Sequence, residues 1–286
     1  MKKYLFLISI LILVSCKNKT EKSEHPTRDL LMPQIVEAYE NEQWDKIILL
    51  SDSLIKSGEP HDDLAILFGQ ALVKTGNVEK AIVVLRNEID NPNSTTEKHY
   101  LYCELGNTYL LLKDYDNAYS SYEESIKLQP SYVSPMVGLA DLFEKKGDIQ
   151  SALFHYTKAA SLFYEHKYKD ELMATGLHMI EIAPENSNSW QVLAKGYNLI
   201  EEYDKEEECW KRRISILMDG QDAVTDKDKK ESIISSMIEL AVAQYNQDKI
   251  DKCMESIQWL RNNTKSLGDW ENDIQRLEQS CKEKLE

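Results

Sequence analysis

Six histidines, His25, His61, His99, His155, His166 and His178, are the residues from which metal or acid–base chemistry would be built. No two are four residues apart and no His-Glu-x-x-His occurs, so the paired imidazoles of a helical zinc site are missing. The densest ligand-type group is Glu165, His166, Asp170 and Glu171, a pattern that a solvated helix end of mixed charge also produces. The acid-rich stretch 219–228 lacks the glycine at the sixth place and the glutamate at the twelfth that a calcium loop requires, and reads as a flexible acidic loop. Neither a glycine-rich phosphate loop nor a Gly-x-Ser-x-Gly nucleophile turn is present. The expectation is a chain without catalysis, cofactor or metal. Cys103, Cys209, Cys253 and Cys281 lie in helical patterns, where a buried thiol serves as a small apolar side chain. If any two of them bond, Cys253–Cys281 is the candidate pair.

Cys16 stands apart because it closes a leader. Lys2 and Lys3 precede an unbroken apolar or small-residue run over 4–14, and Ser15 stands before the cysteine. A basic start, about a dozen apolar residues and a small residue at the cut describe a secretory signal, too short to span a membrane comfortably. Leu13-Val14-Ser15-Cys16 resembles the lipobox of bacterial lipoproteins. That resemblance implies a diacylglycerol on the Cys16 thiol, removal of 1–15 and acylation of the new amine. The polar stretch that follows makes 16–28 a lipidated cysteine with a flexible tether. Lys17-Asn18-Lys19 carries no aspartate after the cysteine, which by the same resemblance implies sorting to the outer membrane, facing the periplasm.

What positions such residues is a helical framework. Of 286 residues only 10 are Gly and 7 are Pro, about half the usual share, which disfavours a turn-dense β-sandwich and favours long helices. A net charge of −15 repels phosphate backbones, so no nucleic-acid partner is expected. Small residues recur twelve apart at Gly69/Ala81, Gly106/Ala118 and Ala140/Ala152, and large residues surround each pair at fixed offsets. Segment 99–132 carries Tyr102, Leu105, Gly106, Tyr109, Tyr115, Ala118, Tyr122 and Pro130. It resembles the tetratricopeptide repeat, a 34-residue helix–turn–helix in which small residues let helix A and helix B approach and aromatics fill the space around them.

In the same frame, repeats are expected at 28–61, 62–95, 99–132, 133–166, 187–220 and 234–267, with Ala194 and Ala241 at the small position of the last two. Glu206 stands where the second small residue of 187–220 belongs, and Gln244 where 234–267 should carry an aromatic. An extra helix is expected at 168–183, with helix 149–164 serving as B of one repeat and A of the next. A polar loop is expected at 219–230 and a polar cap helix at 269–286. The fold class expected is all-α: a right-handed α-solenoid of helix–turn–helix repeats over 29–286, with an irregular extra helix and a C-terminal cap.

The resemblance further implies a groove lined by helix A. Its ligand-facing positions carry over to Gln70 and Lys74, to Cys103, Asn107, Leu110 and Leu111, to Val137, Asp141 and Lys145, and to Lys195 and Asn198. Cys103 replaces the lysine, and Asp141 opposes the charge, of the family's clamp on a peptide carboxylate, so binding of that kind is not expected. A mixed polar and apolar groove suits an extended or helical protein segment. The function expected is a membrane-anchored scaffold for protein–protein interaction in the bacterial cell envelope. A glycan-binding lipoprotein for nutrient capture is the alternative, though the aromatics here fall mostly at packing positions. Replacing Cys16 by Ala should abolish incorporation of labelled fatty acid; normal labelling of the Cys16→Ala chain would end the anchor reading.

Overall fold

The computed structural model describes residues 24–59, 63–219, 226–264 and 267–286. The leader, Leu13, Val14, Ser15, Cys16 and most of the tether lie outside the described residues. Those that are described form helices and no strand. In order they are α1 (Pro26–Glu40), α2 (Trp44–Ser57), α3 (Leu64–Lys74), α4 (Val78–Asp90), α5 (Lys98–Leu111), α6 (Tyr115–Leu128) and α7 (Ser134–Lys145). There follow α8 (Ile149–Glu165), α9 (Lys169–Ile182), α10 (Ser187–Leu199), α11 (Tyr203–Asp219), α12 (Asp226–Asn246), α13 (Ile250–Asn263) and α14 (Glu271–Leu285), the last entered through a 3₁₀ turn at Gly268–Trp270. The chain divides into two compact units between His155 and Tyr156, inside α8. No described helix is long and apolar enough to cross a membrane.

One turn recurs along both units. In each case a residue with positive φ ends the first helix of a pair, and the next amide bonds back to a carbonyl five residues earlier. Gly76 (φ 84°) is followed by Asn77 N donating to Leu72 O at 2.8 Å, and Gly147 (φ 79°) by Asp148 N donating to Phe143 O at 2.9 Å. Glu42, Lys113, Lys167, Glu201 and Asp248 adopt the same left-handed backbone at φ 54–61°. A non-glycine residue there costs about 1 kcal/mol, accepted because the motif satisfies carbonyls that the helix end leaves unpaired. Asp114 and Asp148 then cap the following helix, accepting from Asn117 N at 3.3 Å and Ser151 N at 3.1 Å.

The turn at Lys167, where Tyr168 N donates to Phe163 O at 2.8 Å, belongs to this A-to-B kind although it follows α8. The turn at Gly147, before α8, is also of that kind. By its turns, then, α8 begins as a B helix and ends as an A helix. One expectation from sequence is corrected: α12 starts at Asp226, inside the stretch 219–230 read as loop. Its Lys and Glu residues are good helix formers, and Asp228 and Glu231 near the N-terminus suit the helix dipole.

Packing within the N-terminal unit follows the small residues. Gly69, Ala81, Gly106, Ala118, Ala140 and Ala152 are all buried, as are Ala194 and Ala241 in the C-terminal unit. In the N-terminal unit the A-type helices α3, α5 and α7 also lie side by side, each touching the next. Tyr122 from α6 fills the junction and is fully buried. Its ring lies so close to α5 that a Cβ on Gly106 would meet it at 2.6 Å, and a Cβ on Gly138 of α7 would collide with the same ring. The ring is fixed at its far end by the hydroxyl, which donates to Asn107 Oδ1 at 2.8 Å.

The C-terminal unit solves the same problem differently. The place equivalent to Tyr122 in the frame shared by α8 and α9 is Gly176, and no ring intervenes. The α10 backbone comes in instead, so that a Cβ on Gly176 would sit 2.8 Å from Leu193 N. In the next pair Trp210 takes the ring's place, 2% exposed. Placing a methyl group against the immobile Tyr122 ring by Gly138→Ala should destabilise the N-terminal unit by about 1–3 kcal/mol. Urea unfolding followed by circular dichroism checks this: a clearly lower midpoint is expected, and an unchanged one would refute the packing.

Candidate functional site

The row α3–α5–α7 carries the polar residues expected to face a ligand. Gln70 projects from α3, Asn107 from α5 and Asp141 from α7, all partly exposed. Gln70 and Asn107 gather around Glu104, one turn before Asn107 on α5. Gln70 and Asn107 both hydrogen-bond the Glu104 carboxyl. Asn107 accepts from Tyr122 through its Oδ1, so the ring that fixes the helices also fixes the amide. Burial pushes the Glu104 carboxyl up to about 7, against the two hydrogen bonds, which favour the ionised form. The nearby Asp141 and Glu104 charges add to burial in raising the Tyr122 hydroxyl. Among the described residues, Gln70 Oε1 is buried with no hydrogen-bond partner.

Not every expected groove position faces outward. Cys103, Leu110 and Val137 are buried, whereas Lys74, Leu111 and Lys145 are exposed. Cys103 packs beside Tyr132, which hydrogen-bonds it, and burial raises its thiol well above the usual range. Lys74 stands over the Trp44 ring at 5.6 Å. At the start of α5, His99, Tyr100 and Tyr132 form a ring cluster with centroids 3.9–5.1 Å apart.

The C-terminal unit holds a second polar group around Lys195 and Asn198. Lys195 Nζ lies over the Tyr164 ring at 5.2 Å, and its charge also acts on Glu239 of α12. Asn198 Nδ2 donates to Glu206 at 3.2 Å and Trp210 Nε1 donates to the same carboxylate at 3.1 Å. Glu206 is 1% exposed, and burial raises its pKa despite those bonds, with the Glu239 charge adding to the rise. The glutamate at a small-residue position is therefore accommodated by two donors.

Behind this surface lie two further groups of buried polar contacts, one around Glu207 and one around Arg213. Burial would raise the neighbouring Glu207, yet Lys211, Lys249 and Gln244 outweigh it and hold the carboxyl at about 2. Lys249 Nζ donates at 2.8 Å, and Gln244 accepts in turn from Ser256 Oγ at 2.8 Å. Arg213, 3% exposed, donates to Ser236 Oγ, Ser187 O, Asn188 Oδ1 and Gln191 Oε1 at 2.8–3.2 Å. Charges so buried need such partners, because desolvation alone would cost several kcal/mol each. Sequence reasoning singled out Glu206 and Gln244, read the run Glu206-Glu207-Glu208 as a solvated face or a docking patch where the structure buries the first two, and missed Glu104 and Arg213. The poor fit of Glu206 to the repeat pattern was the one signal near Glu207; Glu104 lies in the best-matching repeat, where nothing around it gives it away.

Among the described residues no group of three or more His, Cys, Asp or Glu side chains could hold a metal ion. What the α3–α5–α7 face offers is acceptor oxygens and an ionisable carboxyl on a rigid helix row, suited to binding groups that bring N–H donors.

Fold and face together define an all-α helical-repeat chain with a polar surface on its A helices. More particularly, residues 99–132 match the family model of the tetratricopeptide repeat. No curated protein matches the chain by sequence. Similar solved structures include the MamA protein, at 15% identity and TM-score 0.41 over 66% of this chain and 91% of that one. A tetratricopeptide repeat protein from Parabacteroides merdae aligns at 10% identity and TM-score 0.40, covering 90% and 99%. The TPR2AB domain of yeast Sti1, in complex with pHSP90, aligns at 15% and 0.37, covering 90% and 99%.

Folding lifts the Glu104 pKa, so the folded state binds its proton more tightly than the unfolded state does. The carboxyl therefore costs stability as pH rises from about 4.5 to about 7. Glu104→Gln should raise the stability of the N-terminal unit at pH 8 by about 1–2 kcal/mol, allowing for partial solvent access, and by nothing at pH 4. Urea midpoints at the two pH values decide: a loss of stability at pH 8, or an equal gain at both, would contradict the assignment.

Proposed function

We propose that this chain is a non-enzymatic, lipid-anchored scaffold of the bacterial cell envelope, held in the outer membrane facing the periplasm. Its A-helix faces bind segments of partner proteins. The anchor reading rests on Leu13-Val14-Ser15-Cys16 at the end of the apolar leader and on the polar residues after it. The tether through 28 would hold the repeats off the bilayer, and several acyl chains would make attachment stable where one alone is marginal.

The observation that carries the binding role is the row α3–α5–α7 with Gln70, Glu104, Asn107 and Asp141 arrayed across it. Tetratricopeptide repeats bind proteins and peptides, and residues 99–132 at the centre of this row match that family. The Glu104 carboxyl favours a partner segment that brings hydrogen-bond donors. Electrostatics point the same way: with a chain charge of −15, a basic or amide-rich segment approaches this face more readily than an acidic one.

The test is affinity purification of the full chain from detergent-solubilised envelope, beside a Glu104→Arg variant whose helicity is confirmed by circular dichroism. A specific protein should co-purify with the native chain, and its affinity for the variant should fall roughly tenfold. Recovery of no specific protein, or equal affinity for both chains, would overturn the proposal.

A further inference from the structure

Cys253 and Cys281 meet at the end of the chain. Cys253 lies in α13, at the place where Ala81, Ala118 and Ala152 stand in three earlier repeats, and Cys281 lies in α14. Their sulfur atoms are 3.2 Å apart across 28 residues of sequence, and both side chains are fully buried. A disulfide needs its sulfurs at about 2.05 Å, so closure requires a relative shift of about 1.2 Å, within reach of small side-chain adjustments.

The cap helix has reason to need a covalent tie. Ile274 and Cys281 are the only buried residues along α14. So little apolar area gives weak docking, because each fully buried aliphatic side chain contributes only about 1.5–3 kcal/mol. Polar contacts hold the helix in register at both ends. Arg261 reaches Glu271 and Glu278, while Lys284 Nζ lies 2.9 Å from Asp248 Oδ1 and 4.2 Å over the Tyr245 ring. The two thiols sit between these fixed points.

We propose that Cys253 and Cys281 are a disulfide-forming pair that staples the C-terminal cap helix to the last repeat. In the oxidation each thiol loses its proton and the two sulfurs bond. The two electrons released reduce a disulfide donor, small or protein-borne, to two thiols. Because both sulfurs are buried in the docked state, the donor reaches them while α14 is undocked, and docking then closes the bond. Cys103 and Cys209 are buried in the helical cores and remain thiols. Oxidation in the cell depends on the export reading; oxidised glutathione supplied in vitro tests the pair without it.

The experiment incubates the full chain with oxidised glutathione, alkylates it without reductant, and maps its peptides by mass spectrometry. The 253 and 281 peptides should appear joined, about 2 Da below the sum of their thiol forms. The melting midpoint should rise by roughly 5–10 °C, returning to its starting value in dithiothreitol, with neither change in Cys281→Ala. Alkylation of both cysteines, their capture as glutathione adducts, or their bonding to other cysteines would each overturn the proposal. So would an equal melting shift in the variant. A joined pair in vitro with free thiols in envelope-purified protein would uphold the pair and count against the export reading alone.

Discussion

Tyr122 has room only because Gly106 and Gly138 carry no Cβ. Its ring occupies the space where α5, α6 and α7 converge, and a single methyl group on either glycine would intrude on it. This contact sets how closely successive A helices lie, and the face they share depends on that spacing. It also reaches the surface directly. The Tyr122 hydroxyl holds Asn107, and Asn107 hydrogen-bonds Glu104, so a packing residue orients the polar residues through a chain of two hydrogen bonds. Interiors are close-packed and transmit small displacements, which is why core and candidate site cannot vary independently here.

The C-terminal unit shows what happens when the same position holds something else. With Gly176 in the ring's place, the α10 backbone moves against α9. With Trp210 in place, a polar indole nitrogen enters the interior and Glu206 is there to accept from it. Gln244, standing where an aromatic is usual, bonds to Glu207 and Ser256 rather than leaving a void. Each departure from the repeat pattern is thus compensated by a partner, as buried polar groups require. A fully satisfied network of this kind exchanges some apolar packing for specificity of arrangement.

Much of the framework was legible because it is local. The Gly106/Ala118 spacing, the aromatics around it and Pro130 lie within one 34-residue segment, and the same frame recovers the small residues buried in both units. Gly138 was not legible, since it lies at the sixth place of its repeat, where the pattern makes no demand. Glu104 was equally hidden, because nothing in its neighbours reveals that Gln70 will meet it from a helix 34 residues earlier. The Glu207–Gln244 contact spans 37 residues for the same reason. The start of α12 differs for another cause: the charged run looks like loop, although lysine propagates a helix well when a packed segment follows. The groove positions Cys103, Leu110 and Val137 turned inward because helix A contacts neighbours on more than one side, which narrows the stripe left for a ligand.

The central claim is that the A-helix row of the N-terminal unit is where a partner protein binds. Photo-crosslinking in intact cells tests it most directly, with a photoreactive amino acid placed at Lys74 or Lys145 on that row, or at Glu124 or Lys127 on α6 as the comparison. The account predicts a discrete protein adduct from the first two positions and none from the other two. Adducts arising equally from all four, or only from α6, would contradict it.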